Sequence, residues 1–433
     1  MKSKIIIIII VLTLTACSAS FFSLSTPTPL GPTPTPLSEP QIMDQIQAQV
    51  ISIRGLHSTG PVTRGFLTTS QLREKVINDF FKDYTAADQS KDLRELSLLG
   101  LLSSNFDLHT FYINLYSEQV AGYYDPQTKT MYVVSDESFN GTAKDTYAHE
   151  YTHVLQDQNY DLLNGLQDNP EYCKNHTEYC AGVEALIEGD ATNTESSWLM
   201  LYATAQDKQD IVNFYSNYKS PVYDSAPAFM KEDFVFPYNQ GADFVQYLLT
   251  AGNEAAVDAA YKNPPVDTEQ ILHPELYPAD TPRETPLPDF TTTLGSGWTE
   301  ETRNVMGEWY IYLIFADGLD AKYQLAKTTA QTAAAGWGGD TYLLYYNTSA
   351  NQSAFIMRSQ WDTMQDADQY WTALVDYSTA RWGKPNQNQN NTVTWLGQTE
   401  GVITLKRNGN DILWLMTPDQ TRANSMIAEV PNF

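Results

Sequence analysis

Apolar residues in this chain recur at intervals of three and four through most of its first 260 positions, then gather into short alternating or continuous runs towards the end. In the segments 41–56 (QIMDQIQAQVISIRGL), 68–84 (TTSQLREKVINDFFKDY) and 105–116 (NFDLHTFYINLY) this spacing predicts helices packing on a common core. Residues 120–136 differ: two runs rich in aromatic and β-branched residues flank DPQTKT, which predicts a hairpin. Helical spacing returns from Lys144 to about Tyr160, over 181–199, and around 197–218 and 240–262. Prolines from Pro264 to Pro288 then impose an irregular segment. Beyond it the pattern predicts helices over 301–319 and 324–336, and strands following GWGG and at 353–361, 391–398 and 401–416. An amphipathic helix is predicted at 366–382, and the turn at RNGND marks a tight hairpin.

The fold class expected is α+β: a mainly helical domain with a small sheet over residues 41–290, and a C-terminal α+β module with an antiparallel sheet over 291–433. Two segments precede these. Residues 1–16 pair two lysines with an apolar run from Ile5 to Leu14, too short to span a membrane comfortably and suited to an export signal. The end of that run, Leu14-Thr-Ala-Cys17, resembles a bacterial lipobox, which implies cleavage before Cys17 and a membrane-anchoring lipid on its sulfur. Residues 17–40 are rich in proline, serine and threonine and read as an extended tether. The location expected is therefore extracytoplasmic. Of the three cysteines, Cys173 and Cys180 remain; in an exported protein they are expected to form a disulfide worth about 2.5 kcal/mol, a second metal site with His176 being the alternative.

A formal charge of −26 repels phosphate backbones and makes nucleic acid an unsuitable partner. It says little about substrate, and no regular calcium loop is present.

The chemistry is concentrated in AHEYTH, residues 148–153. On a helix, His149 and His153 project from one face a turn apart and can share one metal ion. Glu150 lies one step round, where a carboxylate can reach the attacking water without ligating the metal, the arrangement of a zinc peptidase. Zinc in a hydrolytic site needs a third protein ligand. The helix predicted at 181–199 offers Glu184, Glu188 and Asp190, and spacing alone leaves Glu184 and Glu188 both open. Lone histidines at 57, 109 and 273 are more economically read as structural, with His273 on a rim before a proline. Asp157 and Asp190 are the acids expected to orient the metal-binding imidazoles.

Five further motifs carry a resemblance. IEGDA around Glu188 resembles the Glu-Gly-x-Ala pattern of aminopeptidase-like gluzincins, and Pro237-Tyr238-x-x-Gly241 resembles their tyrosine-bearing segment. With YYDP, TEQILHPE and GWGGD, the array over residues 110–380 resembles exported prokaryotic metallopeptidases related to gluzincins. The resemblance implies a zincin-like fold, Zn2+ on His149, His153 and Glu188, Glu150 as general base, Tyr238 as donor to the oxyanion, and a peptide or protein substrate. It implies further that the hairpin at 120–136 can serve as a shelf for an extended substrate. The interval between His153 and Glu188 is longer than in the simplest members, which fits an insertion carrying the two cysteines. The alternatives are a zincin-derived binding protein with structural zinc, and a peptidase kept latent by its proline-rich segment.

Overall fold

The computed structural model describes residues 6–9, 37–82, 84–136 and 139–433. Apart from Ile6–Ile9 and the end of the tether, the export signal, Cys17 and the proline-rich stretch lie outside the described residues. In chain order the first part comprises β1 (Ile6–Ile9), α1 (Glu39–Arg54), β2 (Thr63–Leu67), α2 (Thr69–Lys75) with a π-helical turn at Val76–Phe80, α3 (Ala86–Leu98) and α4 (Leu108–Gln119). The hairpin β3 (Val120–Asp125) and β4 (Thr130–Val134) follows, then α5 (Gly141–Tyr160), α6 (Pro170–Cys173), α7 (Thr177–Leu201), α8 (Ala205–Asn217), α9 (Pro221–Asp224), α10 (Ala228–Ala260) and α11 (Thr268–Leu272). The remainder is α12 (Thr291–Leu294), β5 (Trp298–Asn304), α13 (Gly307–Ala316), α14 (Lys327–Ala334), β6 (Trp337–Asn347), β7 (Gln352–Trp361), α15 (Met364–Trp382), β8 (Gln387–Gln389), β9 (Thr392–Gln398), β10 (Gly401–Asn408), β11 (Asp411–Thr417) and α16 (Gln420–Glu429). The architecture is mixed helix and sheet, and among the described residues no helix is long and apolar enough to cross a membrane.

Two sheets form. The smaller has the order β1-β3-β4-β2, with β3 and β4 antiparallel and β2 added parallel to β4. Its hairpin turn is set by Asp125, whose carboxylate accepts hydrogen bonds from the Gln127 amide (2.9 Å) and the Thr128 hydroxyl (2.7 Å). The larger sheet is wholly antiparallel, in the order β5-β6-β7-β11-β10-β9-β8, and its RNGND turn joins β10 to β11 as the spacing predicted.

One expectation needs correction, and one strand was missed. Residues 301–304 belong to β5, paired with β6, and the helix begins only at Gly307. The polar residues of ETRN never had the apolar repeat that their neighbours from Trp309 onward possess. β2 (TRGFL) was not predicted at all, since most of its side chains are exposed and leave no alternating pattern to detect.

The helix α5 starts where the Asn140 side chain accepts the Ala143 amide (3.1 Å), and it ends where Asp161 turns left-handed at φ 51°. Tyr147, Ala148, Tyr151, Val154 and Leu155 bury one side of it against α1 and the hairpin. Its other side meets α7, which packs in turn on α10. A single core runs on from α3 through α7, α10 and α13 into the large sheet, so residues on both sides of position 290 share buried contacts. The predicted disulfide is present: Cys173 bonds Cys180 and clamps α6 to the start of α7.

Candidate metal centre

The helical repeat of α5 puts His149 and His153 on the face turned to α7, their rings 4.8 Å apart between centroids. Glu188 stands opposite on α7. His149 Nε2 lies 3.1 Å and His153 Nε2 3.4 Å from the same oxygen, Glu188 Oε2. Each of the three residues offers one ligand atom, all within 4.8 Å of one another, so the group could hold a metal ion. Glu184, one turn earlier on α7, is not part of it and faces a neighbouring cavity.

Whether these residues suit a metal is decided by their unsatisfied atoms. His153 Nε2 is buried without a hydrogen-bond partner, as are both oxygens of Glu150. His149, Glu150 and His153 are wholly buried, and a buried polar atom left unpaired costs about 1–3 kcal/mol. The free Nε2 of His153 and the Glu188 carboxylate belong to one group with His149, and the idle Glu150 carboxylate is near enough to feel the charges of His149 and Glu188, a donor set that a cation and a water molecule would satisfy. Burial pushes the Glu150 carboxyl well up, the His149 charge opposes this, and Glu188 and Glu195 add to it; the Tyr124 backbone favours the charged form without closing a hydrogen bond.

The ring nitrogens facing away from this point are occupied. His149 Nδ1 meets Glu195 Oε2 at 2.9 Å, and His153 Nδ1 meets Gln156 Oε1 at 2.8 Å. Donation from each Nδ1 leaves Nε2 free for a cation. Gln156 is itself fixed, its amide donating to the Ile187 carbonyl (3.0 Å) and to Asp190 (3.1 Å). Asp190 accepts both carboxylate bonds from the buried Arg54 Nε (2.7 and 2.9 Å) and one from the Tyr261 hydroxyl (2.9 Å). Behind Glu195, burial and the Glu195 charge push the Asp145 carboxyl well up. Burial depresses the His149 imidazolium, but hydrogen bonds to Glu188 and Glu195 outweigh it and hold the group up to about 10.

The acids expected beside the imidazoles therefore need correcting. Asp157 touches neither, being spent on the Tyr124 hydroxyl and Lys129 (2.6 Å each). Asp190 acts one link further out, through Gln156. Glu195 and Gln156 were missed, yet both carry a positional signal: Glu195 is seven residues beyond Glu188 and Gln156 three beyond His153, each on the ligand-bearing face.

Tyr238 is brought to the site by α10, its ring 6.4 Å from that of His149. Burial pushes its hydroxyl well up, and Glu188, Glu184 and Glu150 push it further, so it stays a donor. The glycines of the two outlying motifs explain how α7 and α10 come so close. A Cβ on Gly189 would lie 2.1 Å from the Gly241 carbonyl oxygen, and one on Gly241 2.2 Å from that of Ala185. Asn193 bridges the crossing, donating to the carbonyls of Gly189 and Ala242 (2.9 Å each). His273 is elsewhere, hydrogen-bonded to Glu308 (2.9 Å), and His109 packs against Phe81 and Tyr84.

No curated protein and no solved structure matches this chain. Residues 293–426 match a family model described as a domain of unknown function, DUF8575; that region covers the large sheet, and none of the residues of the metal centre falls within it.

Proposed function

We propose that the chain is an extracytoplasmic, lipid-anchored zinc metallopeptidase. The observation that carries this reading is the Glu150 carboxylate, buried with both oxygens unpaired beside the His149, His153 and Glu188 group. A site that held zinc for structure alone would close on the metal and have no use for such a group. Two imidazoles and a carboxylate are the donor set of a hydrolytic zinc site, and zinc bound there would supply Lewis-acid polarisation of the scissile carbonyl and a more acidic attacking water.

The chain's own groups divide the rest of the work. Glu150, wholly buried and with a raised affinity for protons, takes a proton from the attacking water and returns it to the leaving amine. Tyr238 donates its hydroxyl to the oxygen on which charge develops. Glu195 and Gln156 hold the two imidazoles in the tautomer the metal needs. Once the export signal is removed, the edge of β3 that Ile6–Ile9 occupies antiparallel, Ile6 opposite Tyr124 and Ile9 opposite Val120, is free to take an extended substrate.

The test is hydrolysis of a mixture of unstructured peptides by the zinc-loaded protein, with Glu150→Gln beside it. Cleavage by the native chain alone, at equal zinc content, is expected. Equal cleavage by both chains, or none by either, would remove the peptidase reading in favour of a binding protein with structural zinc.

A further inference from the structure

A cavity of about 230 Å³ opens beside the metal centre, between α3, α4, α7, α10 and α13. It is smaller than the roughly 300–1,000 Å³ of sites that enclose a drug-sized molecule, and suits a single long side chain. Six acids line it, Asp92, Glu95, Asp168, Glu178, Glu184 and Asp233, and among the described residues no Lys, Arg or His does.

Some of these acids are spent within the fold. Asp233 accepts from the Trp309 indole (3.0 Å) and the Tyr310 hydroxyl (2.9 Å), Glu178 from Thr268, and Glu95 from Tyr342. Glu184 and Asp168 accept no hydrogen bond from any described residue. Two hydroxyls in the wall are also idle. Tyr112 and Tyr238 are only 4% and 7% exposed, both line the cavity, and neither hydroxyl has a hydrogen-bond partner among the described residues. Acids without donors, idle phenolic oxygens and the aromatic faces of Tyr116 and Trp309 together suit a cationic nitrogen, which can donate to the first two and lie against the third. An apolar guest would leave the acids desolvated and unpaired, and an anion would be repelled. Tyr238 ties the cavity to the chemistry, because it lines the one and its ring neighbours His149 in the other.

We infer that this cavity is the specificity pocket of the site and takes a cationic nitrogen of the peptide beside the cleaved bond: the head of a lysine or arginine, or the peptide's own terminal amine. The inference rests on the peptidase reading, and its test separates the two. Zinc-loaded full-length protein is given one hexapeptide sequence with lysine, arginine, norleucine or glutamate at its centre, each with a free or an acetylated N-terminus. In parallel, the zinc-loaded Glu150→Gln protein is titrated with the fluorescein-labelled lysine and norleucine hexapeptides.

Lysine or arginine peptides are expected to exceed the norleucine peptide by about tenfold or more in kcat/KM, with glutamate poorest. If that margin follows the free terminus instead, the cation is the terminal amine. Glu184→Gln should shrink the margin in both hydrolysis and binding, and the lysine-to-norleucine ratio in the unaltered wall does not depend on that variant folding. Hydrolysis with equal rates for all central residues and both termini overturns the pocket and leaves the peptidase. Tenfold tighter binding of the lysine peptide without any hydrolysis supports the pocket and removes the peptidase. Neither hydrolysis nor a binding difference removes both.

Discussion

Replacing Gly189 by alanine sets two physical effects against each other with opposite signs. Helix propensity favours the change by about 1 kcal/mol, because α7 is helical on both sides of this position. Packing opposes it. The added carbon would lie 2.1 Å from the Gly241 carbonyl oxygen, whereas close carbon to oxygen contacts settle near 3.3 Å, so α7 and α10 must part by about 1 Å. Both backbones are held there by Asn193, and a backbone cannot swing aside as a side-chain tip can. Forced overpacking of this kind costs about 1–3 kcal/mol, and here more of the upper end applies because both contacts are with main chain. The crossing also sets Glu188, one residue away, relative to Tyr238, and a 1 Å misplacement is enough to lower a catalysed rate by ~10²-fold. Urea denaturation of Gly189→Ala should give a lower midpoint at unchanged slope, with peptide hydrolysis reduced far more than zinc content. Gly60→Ala, with no atom within 4 Å of the new carbon, is the control. A Gly189→Ala protein with a raised midpoint and full activity would show that propensity alone governs the position and that the crossing does not set the site.

Two other outcomes follow from the groups behind the centre and in the core. Glu195→Ala removes the acceptor on His149 Nδ1 and should weaken zinc binding by about 10–100-fold in competition with a chelator, without unfolding the chain. Stability should fall as pH rises. Burial pushes Glu178 up to about 8 and Asp340 to about 6, and burial with the Glu308 charge pushes Glu269 up to about 9. A carboxyl with a raised folded value stabilises the fold fully below its unfolded range, and that contribution is lost as pH climbs through the folded value. The metal-free protein should therefore melt several degrees lower at pH 9 than at pH 5; a melting temperature that rises over this interval would contradict the burial of these groups.

The parts of the fold that show in the sequence are those where one surface of an element decides its residues. α5 reads as a helix because its tyrosines and aliphatics recur on one side, and its two histidines recur with the same period. The hairpin reads because Asp125 supplies its turn. β2 does not, since exposure leaves its residues unconstrained. α10 is harder to read because Pro237 sits inside it and removes one backbone donor, a feature that normally ends a helix; buried packing on α7 carries the helix past it. Within the site, residue chemistry marks His149, Glu150 and His153, but spacing alone does not separate Glu184 from Glu188, and only the approach of α5 to α7 does so. Gly189 and Gly241 stand out as members of motifs, yet nothing in a single chain indicates that they exist for each other.

The most direct test of the account is the metal content of the purified protein after dialysis, measured for the native chain, His153→Ala and Glu188→Gln. One zinc per native chain is expected, bound through nitrogen and oxygen at about 2.0–2.1 Å by X-ray absorption and lost from both variants. A native chain that retains no zinc, or variants that keep it as tightly as the native protein, would contradict a metal centre built from α5 and α7.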